Sequence, residues 1–160
     1  MILVMKPQVT STLLTVQQPK LSMEFCVVYI SSSDLLSADE LDELLNKSQQ
    51  KNRKLGITGV LLYCNGSIIQ VLEGDESTVS NLYSVISSDP RHSQVTRLYG
   101  GKIGERSFPD WQMGYKTLTQ NEMTSLSDQL PFIRNPYVNP PDGGVIMSLL
   151  KTFYLNNHRN

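Results

Sequence analysis

The chain has 160 residues, 39% of them hydrophobic, with 14 basic against 15 acidic side chains and a formal net charge of −1. That length suits one compact domain with a C-terminal appendage, and the near-neutral balance, with no basic stripe interleaved with aromatics, argues against a nucleic-acid partner. Two cysteines, no CxxC or HExxH and only two histidines argue against a metal centre.

Residues 1–22 begin with an apolar run too short to span a membrane and with no positive charge before it, so a signal peptide is a poor fit. They are expected to form a flexible extension, with Met23 as an alternative start. "MEFCVVYISS" (23–32) is rich in β-branched and aromatic residues and predicts a first strand. Ser37 followed by Glu40 is a capping-box signature, and Leu41, Leu44, Leu45 and Ser48 then recur at helical spacing. Gly56 suits the left-handed position past a helix end near Lys54.

In "ITGVLLYCNGSIIQVLEG", Asn65-Gly66 between two apolar runs predicts a two-residue hairpin turn. Pairing across it sets Cys64 opposite Ser67, Leu62 opposite Ile69 and Leu61 opposite Gln70. Alternation then puts Gly59, Leu61, Tyr63, Ile68, Gln70 and Leu72 on one face, and Val60, Leu62, Cys64, Ile69 and Val71 on the other. Cys26 and Cys64 fall in apolar strand-like runs and read as reduced core residues of a cytoplasmic protein. Asp75 caps a second helix with the stripe Val79, Leu82, Tyr83 and Ile86, ended by Asp89-Pro90. Residues 94–108 predict a fourth strand with a glycine-marked bend, and 111–118 a fifth. The order β-α-β-β-α-β-β implies an α+β, ferredoxin-like sheet with two helices on one face. C-terminal helices should cover the other face: Thr119 with Glu122 is another capping box, and Ile146, Leu149, Leu150 and Phe153 form an amphipathic stripe.

Gln70 is the odd residue of its strand. A buried carboxamide left unpaired costs roughly 1–3 kcal/mol, so either the strand is an exposed edge or something inside the fold bonds to Gln70. Both faces of the hairpin are apolar and must be covered, which favours burial. Tyr29, in the middle of the first strand, and Asn52, on the buried stripe of the first helix, are expected to converge with Gln70 on a slot between sheet and helices. A phenol and two carboxamides lack a nucleophile–base pair but match a planar heterocycle with alternating donors and acceptors. A polar network that satisfies only itself is the competing explanation. Arg91-His92 could hold a ligand phosphate or be a solvated pair. Trp111 and Met113 share one face of the last strand. "GGKIGE" lacks the strand-then-helix context of a dinucleotide fingerprint.

Taken in order, "YISS…SQQKN…GITGVLLYCNGSIIQVLEG…DPRHSQV…RSFPDWQMGY" resembles the BLUF family of blue-light sensors that use a flavin, over residues 23–118. The resemblance implies the ferredoxin-like fold with the flavin ring between the two helices. It identifies Tyr29 with the photoactive tyrosine, Gln70 with the switching glutamine and Asn52 with the asparagine at the flavin's carbonyl and imide edge. It likewise implies that Ser48 is a smaller polar contact, that Leu44, Ile68 and Ile86 pack on the ring, and that Arg91 and His92 lie at the ribityl-phosphate end. Trp111 and Met113 match the pair proposed to relay the signal. Light-driven electron and proton transfer from tyrosine to flavin would leave Gln70 rearranged and the absorption red-shifted. FAD is the expected chromophore, with FMN or riboflavin as alternatives. The expected organisation is an extension (1–22), a flavin-binding domain (23–118) and a helical cap (119–160), in a short stand-alone photosensor without an effector enzyme. Such a chain would signal through an unidentified downstream protein or its own homo-oligomer, without membrane or nucleic acid. A flavin-dependent oxidoreductase and a non-photoactive interaction scaffold are the alternatives.

Overall fold

The computed structural model describes residues 23–110, the backbone of 112–117, and residues 144–157. Its elements are β1 (Glu24–Ser32), α1 (Ala38–Leu55), β2 (Gly59–Cys64), β3 (Ser67–Gly74), α2 (Glu76–Ser87), β4 (Ser93–Ile103), β5 (Gln112–Thr117) and α3 (Val145–Asn157). The five strands form one sheet in the order β4-β1-β3-β2-β5. β1 runs antiparallel to both β3 and β4, β2 is antiparallel to β3, and β5 lies parallel beside β2. This is the expected ferredoxin-like sheet with a fifth strand added at the β2 edge.

Local chemistry sets the boundaries. Ser37 Oγ accepts from Glu40 N at 3.3 Å while the Glu40 carboxylate accepts from Ser37 N at 2.9 Å, so two otherwise orphaned donors open α1 satisfied. Gly56 ends α1 at φ 65°. Asp75 accepts from Thr78 N at 3.1 Å and opens α2. Asn65 and Gly66 both have positive φ, 47° and 83°, as a tight hairpin turn matched to strand twist requires. Its pairing is Cys64 with Ser67, Leu62 with Ile69 and Leu61 with Gln70. Gly59 cannot be anything larger: at φ 151° an added Cβ would lie 1.9 Å from Val71 O.

The sheet separates two cores. Against α1 pack Tyr63 and Ile68 with Leu41 and Leu45, and against α2 pack Val27, Tyr29 and Leu72 with Val79 and Leu82. The opposite face, Cys26, Val28, Val60, Leu62, Ile69 and Val71, packs on Ile146, Leu150, Phe153 and Tyr154 of α3. The expected lid helix is therefore present, with Leu149 only partly buried at its margin. Both cysteines are free; Cys26 is buried, while Cys64 is half-buried and its thiol donates to Asn157 O at 3.2 Å. β4 is shorter than expected, ending at Ile103 rather than running to residue 108, because Arg106 and Phe108 turn inward to partners described below. Residues 1–22, the Thr119–Glu122 capping box and most of the 119–160 cap lie outside the described residues.

Leu150 is fully buried on the α3 side. Leu150→Ala should lower the unfolding free energy by about 2–5 kcal/mol, read from urea denaturation, while ligand binding on the helix-covered face is unchanged.

Candidate functional site

Strand pairing places Tyr29 of β1 directly opposite Gln70 of β3. The Tyr29 hydroxyl donates to Gln70 Oε1, and both side chains are buried, at 0% and 6% exposure. β3 has β1 on one side and β2 on the other, so Gln70 is no edge residue. Burial, reinforced by neighbouring Tyr83, pushes the Tyr29 phenol well above its ordinary value and keeps it a proton-bearing donor. The Tyr83 ring lies 5.5 Å from that of Tyr29, tilted by 55°, and the His92 ring meets Tyr29 edge-on at 6.5 Å. His92 Nδ1 is held 3.0 Å from Ser31 Oγ. Burial draws the His92 imidazole below its usual value; nearby Asp89 opposes this and Arg91 adds to it.

Gln70 faces a cleft of about 180 Å³ between α1, α2 and the sheet. Leu44, Ser48 and Asn52 line it from α1, Ile68 and Gln70 from β3, Ile86 from α2, and Arg91 and His92 from the following turn. The structure thus gathers every residue chosen for cofactor binding, with Tyr29 one step behind Gln70. Asn52 is 3% exposed and lines the cleft, and among the described residues no fully buried side-chain polar atom is left unpaired, so its carboxamide is reached from the cleft. An amide so placed can meet a ligand's own donor and acceptor. The apolar walls above and below, from Leu44, Ile68, Leu82 and Ile86, suit a flat aromatic body. A flavin ring, apolar on its faces and polar along one edge, fits this donor set.

The cleft opens into a recess of about 270 Å³ that shares Leu44, Lys47, Ile68, Arg91 and His92 with it. The Arg91 guanidinium is bound to both Asp89 carboxylate oxygens at 2.5–3.1 Å. Hydrogen bonds from Arg91 hold the Asp89 carboxyl far below its usual range. Arg91 thus lines the mouth of the cleft as a largely exposed cation already paired with Asp89. A larger cavity of about 520 Å³ lies on the far face between β1, β4 and α3. None of the described residues lining it is titratable, and Tyr29, Asn52 and Gln70 all stand outside it, whereas Asn52 and Gln70 line the smaller cleft.

The relay pair is not brought into view: Trp111 lies outside the described residues, and Met113 is placed only as backbone on β5 beside β2. Glu73 was missed. It is fully buried, with its carboxylate accepting from Ser107 N at 2.8 Å and Phe108 N at 2.9 Å. An acid inside "IIQVLEG" is as anomalous as Gln70 and was the available signal.

Residues 25–114 match the family model for BLUF, sensors of blue light using FAD. The chain is 37% identical over 89 residues to the photoactivated adenylate cyclase subunit beta of Euglena longa, covering 54% of this chain and 10% of that protein. It is thus similar to about a tenth of the length of such relatives. Among solved structures, BlrB, a BLUF protein in its dark state, matches at TM-score 0.60 and 27% identity, covering 83% of this chain and 98% of that one. Klebsiella pneumoniae BlrP1 with FMN and cyclic diGMP matches at TM-score 0.70 and 33% identity, covering 86% of this chain and 36% of that one. With a matched segment spanning more than half of its length and a buried tyrosine–glutamine pair at the wall of the cleft, this chain belongs to the BLUF family of blue-light sensors.

Proposed function

We propose that the chain holds a flavin non-covalently between α1 and α2 and signals blue light through rearrangement of the Gln70 hydrogen bonds. The observation that carries this is the buried Tyr29–Gln70 bond beside the cleft-lining Asn52 carboxamide. When bound, a flavin supplies blue-light absorption and an excited state able to take an electron and a proton from a neighbouring phenol. Tyr29 holds that proton in the dark, aimed at Gln70. Asn52 and Ser48 orient the ring's polar edge, Leu44, Ile68 and Ile86 exclude water from its faces, and Arg91 and His92 face the tail. FAD is the chromophore proposed, with FMN or riboflavin meeting the same ring contacts; the BlrP1 structure that this chain resembles contains FMN.

Gln70 has a carbonyl and an NH₂ end, and rotation or tautomerisation exchanges what it offers Tyr29 and the ring. One hydrogen bond is worth about 0.5–1.5 kcal/mol net, so changing two biases a two-state element by roughly one to two orders of magnitude. The element is β5, with Trp111 and Met113, together with the cap 119–160 that follows the sensor segment 23–118. The extension 1–22 carries no part of this chemistry. Among the described residues no helix is long and apolar enough to cross a membrane, and we place the chain in the cytoplasm. The cyclases it resembles over a tenth of their length are much larger proteins, which supports a downstream signalling partner, reached directly or through a homo-oligomer.

Three outcomes test this. The purified protein loaded with FAD should show a small reversible red shift under blue light. In Gln70→Leu flavin should remain bound and the shift should vanish; a preserved shift removes Gln70 from its role. Tyr29→Phe should bind flavin in near-equal amount but lose productive photocycling, followed by the same spectra. The pH dependence of stability has a definite sign. Burial in the folded state makes Tyr29 and Cys26 weaker acids, lifting both pKa values above their ordinary ones. Above roughly pH 8.5–10, where unfolded thiols and phenols ionise, the unfolded chain binds fewer protons than the folded one, so stability falls as pH rises. Tyr29→Phe should make the alkaline fall in the thermal midpoint shallower than in wild type, while the Cys26 part persists.

A further inference from the structure

Glu73 stands three residues after Gln70 on β3 and therefore faces the other side of the sheet. It is a carboxylate at 0% exposure, yet it touches neither the flavin cleft nor, among the described residues, any cluster of metal-ligating side chains. Its two oxygens accept from consecutive backbone N–H groups, those of Ser107 and Phe108, at 2.8 and 2.9 Å. Only a carboxylate can accept from both. A glutamine would turn its NH₂ against one of them, and an apolar residue would leave two buried donors unpaired.

The segment held in this way joins β4 to β5, and Trp111 follows Phe108 by three residues. Phe108 is fully buried in the same core as Leu150, Phe153 and Tyr154 of α3. Its other tether is Arg106, which donates to Gly56 O at 2.8 Å and Thr58 Oγ1 at 3.3 Å and pairs with Glu24 at 3.0 Å. Thr58 in turn exchanges both backbone bonds with Glu73, at 2.8 and 2.9 Å. The strand that carries the switching glutamine is thus bonded, one turn of the pleat further on, to the loop that feeds β5 and underlies α3.

We propose that Glu73 is the positioning residue that transmits the displacement of β3 at Gln70 to the 106–108 loop and, through Phe108, to α3. This rests on the photosensory function proposed above. It assigns Glu73 no part in binding the chromophore or in its photochemistry.

The test is amide hydrogen exchange on the full-length, flavin-loaded protein in darkness and under continuous blue light, with the visible spectrum recorded on the same samples. In the wild type, exchange at Ser107 and Phe108 should rise severalfold in the light, with a smaller rise along α3. Glu73→Gln should keep bound flavin and the red shift, exchange fast at both amides in either state, and lose the light response of α3. A merely structural Glu73 would change the dark exchange of its loop and leave the light response of α3 intact; that result overturns the proposal, as does a wild-type red shift with no change at residues 107 and 108. If Glu73→Gln does not fold, Glu73→Asp retains the charge on a shorter stem and should weaken the α3 response while the red shift stays; an undiminished response overturns it. A wild-type protein that binds flavin and shows no red shift instead sinks the photosensory function itself.

Discussion

The hydrogen bond between Tyr29 and Gln70 sets the demands on everything around it. It joins two side chains that are neighbours only because β1 and β3 pair in one register. A slip of one residue would turn Gln70 to the α3 side and replace it with an aliphatic neighbour. Several independent features hold the register. Asn65-Gly66 fixes the β2–β3 alignment by its turn geometry. Gly59 permits a close approach to Val71 O that a side chain would forbid. Thr58 and Glu73 exchange backbone bonds beyond the regular ladder. Covering both faces of β3 makes any slip expensive in apolar exposure as well.

The two faces divide the labour of the fold. The α3 side is a mainly apolar core, and its fully buried acid, Glu73, has backbone donors for both oxygens. The α1–α2 side carries a phenol, two carboxamides and a half-buried imidazole around a cleft. A chain selected only for stability would fill such a cleft with aliphatic side chains. Its cleft-facing Asn52 amide and open volume are tolerable when a ligand completes them, and binding then adds stability by mass action. The same logic accounts for the Arg91–Asp89 pair at the mouth. It keeps the guanidinium oriented, and a phosphate placed there must compete with a carboxylate already bound in two places.

Much of this was legible in the sequence because its causes are local. The capping box at Ser37, the left-handed Gly56 and the Asn65-Gly66 turn each depend on a few adjacent residues, and alternation from that turn assigned Gln70 its face. The meeting of Tyr29 with Gln70 spans 41 positions and followed from strand order rather than from any local pattern. Glu73 was hidden for a physical reason: its partners are backbone N–H groups, which carry no signature in sequence. The end of β4 was misjudged for a related one. "GGKIGERSF" reads as a bent strand continuing to residue 108, but the three partners of Arg106 and the burial of Phe108 draw the chain inward after Ile103. What long-range contacts decide, a one-dimensional pattern cannot rank.

A change at Gln70 must cross the sheet to be felt at α3, and the routes are few. Side chains of adjacent positions on β3 point to opposite faces, so packing at Gln70 does not touch the α3 core directly. Displacing β3 as a whole would strain its ladders to both β1 and β2, far beyond the few kcal/mol that rearranged hydrogen bonds offer. Motion of that modest energy is expressed where a strand is joined to something less firmly laddered. On β3 that place is its C-terminal end, where pairing with β1 continues to Gly74 but regular pairing with β2 has stopped, and the attachments on that side are the Thr58 bridge and the carboxylate of Glu73. The loop beyond is held by side chains rather than by a ladder, and it touches β3, α1's end and the α3 core together. A small shift there can change how α3 sits without breaking the sheet.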